Sequence, residues 1–140
     1  MKSIFGKFWN LPNTFIGLLF GGLGVVLSLG KFQVTFGNNA IQFHDHPLGV
    51  LGAITLGNVI CYGSGLPETA AHPEGGSGNV GDHERQHTFQ GEWLGPFYLP
   101  SHVLGLFAGL MTGNHHGDAN WNERGPQSDI PSPWLNSRPR

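Results

Sequence analysis

A chain of 140 residues is long enough for one hydrophobic core and too short for two ordinary ones. Glycine occupies 23 positions and charged residues make up only 11% of the chain, so many turns and little solvated helical surface are expected, and a net charge of −2 with no basic stripe excludes the electrostatic footprint of a nucleic-acid binder. Cys61 is the only cysteine, which excludes an internal disulfide and any cysteine-rich metal site; a metal here must rely on histidine and carboxylate.

In chain order, Leu11-Pro12-Asn13 offers a helix start, and residues 14–29 read as an apolar helix loosened at Gly21-Gly22. The uncharged stretch 15–30 is flanked by Lys7 and Lys31. It falls short of the roughly 20 residues a bilayer span needs. A helix buried in a soluble core is therefore the favoured reading, with membrane association through 15–30 as its competitor. Residues 31–43 change period: Phe32, Val34 and Phe36 alternate with polar residues, Gly37-Asn38-Asn39 turns the chain, and Ile41 and Phe43 alternate again, which predicts a β-hairpin. Residues 50–62 predict further strand, divided at Gly57. The stretch 63–78 is a Gly/Pro/Ser-rich loop that delivers the chain to the next helix, where it can form a rim over a site.

That helix carries the most informative string in the sequence, His83-Glu84-Arg85-Gln86-His87. Histidines four apart project from one face of a helix, so both imidazoles can bind one Zn²⁺ while Glu84 faces a metal-activated water. The context agrees: Asn79 can cap with Asp82 at the third helical position, and Gly95-Pro96 stops the helix. A second helix is expected from near Pro100 through Met111. Beyond Gly113 the chain is polar and His- and Pro-rich, and 127–140 reads as an extended tail of the single domain 1–140.

A hydrolytic zinc site takes three protein ligands and leaves the fourth position for water. His83 and His87 supply two. Glu123, Asp118, His102 and the pair His115-His116 are the candidates for the third; Gln90 and Trp93 stand where the longer His-Glu-x-x-His-x-x-Gly-x-x-His string would need glycine and histidine. Gln86 and Asp82 are candidate partners for the imidazoles, and Tyr98, His102 and His115 or His116 are candidate transition-state donors, with His102 or His116 as alternative ligands.

Residues 83–100, with His-Glu-x-x-His-Thr-x-Gln followed by Leu94-Gly95-Pro96-Phe97-Tyr98-Leu99-Pro100, resemble a group of bacterial zinc metallopeptidase-like proteins that carry a later Asn-x-x-Glu element. Asn120-Trp121-Asn122-Glu123 is similar to that element, so the resemblance implies Glu123 as third ligand, a gluzincin-like site. The matched segments cover about a quarter of the chain, and no helix is evident around Glu123.

The expectation is an α+β domain, a small antiparallel sheet with two or three helices and a zincin-like active-site helix, acting as a Zn²⁺ metallopeptidase on a peptide or protein substrate. Glu84 is its general base. Two readings compete: a non-catalytic domain stapled by zinc through a closed four-ligand site, and a membrane-active bacterial effector or toxin whose glycine-faced helices insert. Oligomeric state and compartment are not legible.

Overall fold

The computed structural model describes residues 4–49, 52–72, 78–113 and 119–140. A short helix, α1 (Ile4–Trp9), leads through Asn10 into α2 (Leu11–Leu27). Four strands follow, β1 (Gln33–Gly37), β2 (Ala40–His46), β3 (Ala53–Leu56) and β4 (Val59–Gly63), then α3 (Val80–Leu94), a 3₁₀ turn (Gly95–Phe97) and α4 (Tyr98–Met111). The fold is α+β.

The sheet order is β1-β2-β4-β3. Both hairpins are antiparallel, as the alternation predicts, but β4 inserts beside β2 in parallel, so the sheet is mixed and not wholly antiparallel. The reason lies in the connection after His46, which places β3 on the far side of β4. The β1–β2 hairpin closes with Asn38 and Asn39 at φ +47° and +62°, the left-handed pair that a two-residue hairpin turn requires and that asparagine tolerates.

β4 is buried along its whole length and divides the interior in two. Val59 and Cys61 pack with Phe43 on the face covered by α2. Ile60 and Tyr62 pack with Val80 on the opposite face, below the start of α3.

The helix expected at 14–29 is present as α2, but it is not a core helix of the usual kind. Its buried residues are Asn13, Gly17, Gly21 and Gly24, one stripe at helical spacing, and most of its large apolar side chains point outward, while Phe20 and Val25 pack on the Phe43 cluster. A methyl group on Gly21 would stand 2.5 Å from the Phe43 ring, which is why this helix lies so close to the sheet. By contrast α3, whose inventory is largely polar, is buried on most of its surface. The Pro-rich stretch expected as an extended tail has neither helix nor strand and is anchored on α3: the Gln90 amide donates to the Pro133 carbonyl at 2.6 Å and the Gln86 amide to the Arg140 carbonyl at 3.2 Å.

Candidate metal centre

The motif helix begins where the sequence predicts. Asn79 is in extended conformation, its side chain accepts from the Asp82 N–H at 2.8 Å, and the Asp82 carboxylate accepts from the Asn79 N–H at 3.2 Å, a reciprocal cap. The helix is held between layers by its polar residues. Glu92 accepts from Lys7, Asn39 and Asn58 at 2.8–3.0 Å, joining α3 to α1 and to both hairpin turns. Gly91 leaves the space that the Asn10 amide fills.

On this frame His83 and His87 bring their Nε2 atoms to 3.2 Å from each other. Both meet one oxygen of Glu123, at 3.1 Å from His83 and 3.4 Å from His87. All three residues are buried. Among the described residues they form the one cluster able to hold a metal ion. Burial alone would discourage ionisation of Glu123, but the two imidazoles outweigh it and hold the carboxyl well below the usual carboxylate range. Reciprocally, burial opposes a charge on His87, yet Glu123 raises its pKa to about 9.

Glu123 sits in a run of turns, as expected from the lack of a helical pattern around it. Its neighbours position it: Asn120 and Asn122 are fully buried, the Asn122 amide donates to Ser101 Oγ at 3.1 Å, and Gln90 donates to the Asn122 carbonyl at 2.7 Å. Glycine at 105 on α4 lets Asn120 approach that helix where a side chain would collide.

Glu84 is buried, and its Oε2 accepts from Thr55 Oγ1 on β3 at 2.6 Å. Its charge is felt at His87. His102 stands at the rim, part-exposed, with Nε2 3.5 Å from the other oxygen of Glu123 and its ring edge-on to His87. It lies outside the three-atom cluster. Tyr98 is buried and its hydroxyl reaches the Thr55 carbonyl at 3.5 Å, so it contacts the strand that orients Glu84. Asp118, His115 and His116 lie outside the described residues.

The imidazole partners differ from those expected. Gln86 donates to the Asp82 and Arg140 carbonyls, and Asp82 caps the helix. The partner of His87 is Gln90, whose Oε1 lies 2.9 Å from Nδ1. Its position three residues after His87 on the same helical face was the available signal. His72 is a second residue the motif did not point to; its ring stacks on that of His83 with centroids 4.1 Å apart. A cleft of about 680 Å³ is lined by Phe89, Trp93, Trp121, Trp134 and Arg138 and includes none of the three clustered residues.

Compared with known proteins, the chain matches no family model, no curated sequence and no solved structure. The site therefore rests on its own geometry: two nitrogens and one carboxylate oxygen, buried, mutually within 3.4 Å and backed by hydrogen bonds, a donor set that fits a divalent ion.

Proposed function

We propose that this chain is a zinc-dependent hydrolase of peptide or amide bonds, with His83, His87 and Glu123 holding the ion and Glu84 as general base. The observation that carries the reading is the convergence, among the described residues, of three donor atoms in a buried site whose helix places a carboxylate beside the first histidine. Zinc binds such atoms at about 2.0–2.2 Å, and a tetrahedral arrangement at that distance separates two ligands by about 3.3 Å. The separations of 3.1, 3.2 and 3.4 Å suit it.

When bound, such an ion supplies Lewis acidity and brings the pKa of water toward neutrality. The chain's own groups have the remaining roles. Thr55 fixes one oxygen of Glu84, orienting the carboxylate to take a proton from water and return it to the leaving amine. His102, on the exposed side, is placed to donate to the oxyanion of a tetrahedral intermediate. Gln90 orients His87.

The second reading is a structural metal staple, favoured by the one observation that His102 lies close enough to Glu123 to become a fourth ligand. Elemental mass spectrometry of the wild type beside His83→Ala, Glu123→Ala and His102→Ala separates the two. The hydrolase reading expects about one zinc per chain, lost with His83 or Glu123 and kept without His102, together with a Glu84→Gln variant that retains metal and loses cleavage of a peptide library. Zinc lost with His102, and no cleavage by the wild type, would establish the staple. Absence of zinc after loading would defeat both.

A further inference from the structure

Around the apolar sheet core, the helices reverse the usual order, with a polar helix buried and apolar helices exposed. α3, with its buried Gln86, His87, Thr88 and Gln90, occupies the interior. α4 packs against it, α2 packs on the opposite face of the sheet, and both turn small residues inward: Gly17, Gly21 and Gly24 on α2, Gly105 and Gly109 on α4. Most of their large side chains face out, Leu19 at 61% exposed, Phe107 at 59% and Met111 at 89%, with Phe20, Val25 and Tyr98 turned inward. Globular helices in water show the reverse pattern, and monomeric soluble proteins rarely expose contiguous apolar patches beyond a few hundred Å².

Charge marks where this surface begins. No Asp, Glu, Lys or Arg occurs from residue 8 to 30 or from 93 to 113. The residues just before these two stretches, Lys7 and Glu92, form one ion pair at 3.0 Å. Trp9 packs against Gly95, and Trp93 lies two residues before it, so both uncharged stretches start at one level, each with an exposed tryptophan. A belt of tryptophan and charge at the edge of an apolar band is the arrangement of a membrane interface. Continuous helices are also the backbone form that hydrocarbon accepts, because every N–H and C=O within them is satisfied. The helical run Val80–Met111 has the length and composition to cross a membrane, but its first half is the polar, buried α3, so the apolar surface belongs to α4.

We propose that α2 and α4 lie in the hydrocarbon layer of a lipid bilayer, their outward side chains against acyl chains, with the Lys7–Glu92 pair at the interface. A second copy of the chain would cover one patch, whereas lipid covers both helices, which meet chiefly through the turn Gly95–Phe97. The inference rests on the surface alone and stands or falls independently of the hydrolase reading.

The test uses the full chain, purified in detergent and mixed with phosphatidylcholine/phosphatidylglycerol vesicles. It is expected to float with the vesicles, to remain after an alkaline carbonate wash, and to lose tryptophan fluorescence in vesicles whose acyl chains are brominated. Leu19→Lys combined with Phe107→Lys should lower the vesicle-bound fraction at least about tenfold, with an unchanged circular dichroism spectrum in detergent. Quenching of the wild type needs no variant and so decides the matter even if the double variant misfolds. A chain that stays at the bottom of the gradient as a detergent-free monomer, or as a lipid-free dimer with unquenched tryptophan, overturns the proposal; the dimer would assign the surface to a second copy.

Discussion

Gln90 Oε1 lies 2.9 Å from His87 Nδ1, and the same amide donates through Nε2 to the carbonyls of Asn122 and Pro133 at 2.7 and 2.6 Å. Two carbonyls on the nitrogen side settle which way the amide faces, so Oε1 accepts and Nδ1–H donates. A neutral His87 is thereby held in the tautomer whose Nε2 lone pair faces His83 and Glu123. One glutamine thus orients a candidate ligand and ties down the segment that carries Glu123. Replacing it with methionine, close in volume, should lower zinc affinity about 10- to 100-fold. Competition against a chromophoric chelator measures this, and an unchanged affinity would remove Gln90 from the site.

Metal binding should depend on pH through His87. Without metal, its proton is held to about pH 9 by Glu123 despite the opposing effect of burial. An incoming ion must displace that proton, so affinity rises about tenfold per pH unit and levels off above about 9. Calorimetry in buffers of different ionisation enthalpy would detect the released proton.

The same pair sets the pH dependence of the metal-free fold, with a sign for each partner. Glu123 has a lowered pKa, so its contribution is present above its ordinary 4.5 and disappears on acidification. His87 has a raised pKa, so its contribution is complete below its ordinary 6.5 and fades as pH rises toward 9. Maximal metal-free stability is expected between these ordinary values, and chemical denaturation across pH measures it.

Two glycines of α2 make a matched pair. A methyl on Gly17 would stand 2.5 Å from the Leu56 carbonyl oxygen and 2.7 Å from Val59 Cβ, whereas one on Gly22 meets nothing within 4 Å. Gly17→Ala should destabilise by about 1–3 kcal/mol. Gly22→Ala should stabilise by up to about 1 kcal/mol through helix propensity. Thermal unfolding of both variants in one detergent compares them, and equal effects would contradict the close packing of α2 on the sheet.

Cys61 is buried on β4, and burial, reinforced by the charge of Glu84, pushes its thiol up to about 12. The thiolate is the reactive species. Iodoacetamide at neutral pH should leave the folded protein unlabelled and add one group after unfolding in guanidinium, as read by intact mass. Rapid labelling of the native chain would place Cys61 at the surface.

Local patterns in the sequence determined much of the secondary structure. The alternation of Phe32, Val34 and Phe36, the Asn38-Asn39 turn, the Asn79–Asp82 cap and the stop at Gly95-Pro96 all act within a few residues, so each element is legible where it stands. The two histidines shared one helical face for the same reason. Tertiary structure decided the rest. The parallel β2–β4 pairing joins strands separated by β3, and no local signal marks it. Glu123 reaches the histidines only because Gln90, Asn120 and Asn122 pack a stretch without helix against α3 and α4. The apolar stretch 15–30 has the same composition whether its large side chains turn in or out. That choice was made by the glycine stripe and the face it presents to Phe43, because only residues without a side chain let α2 lie against the sheet.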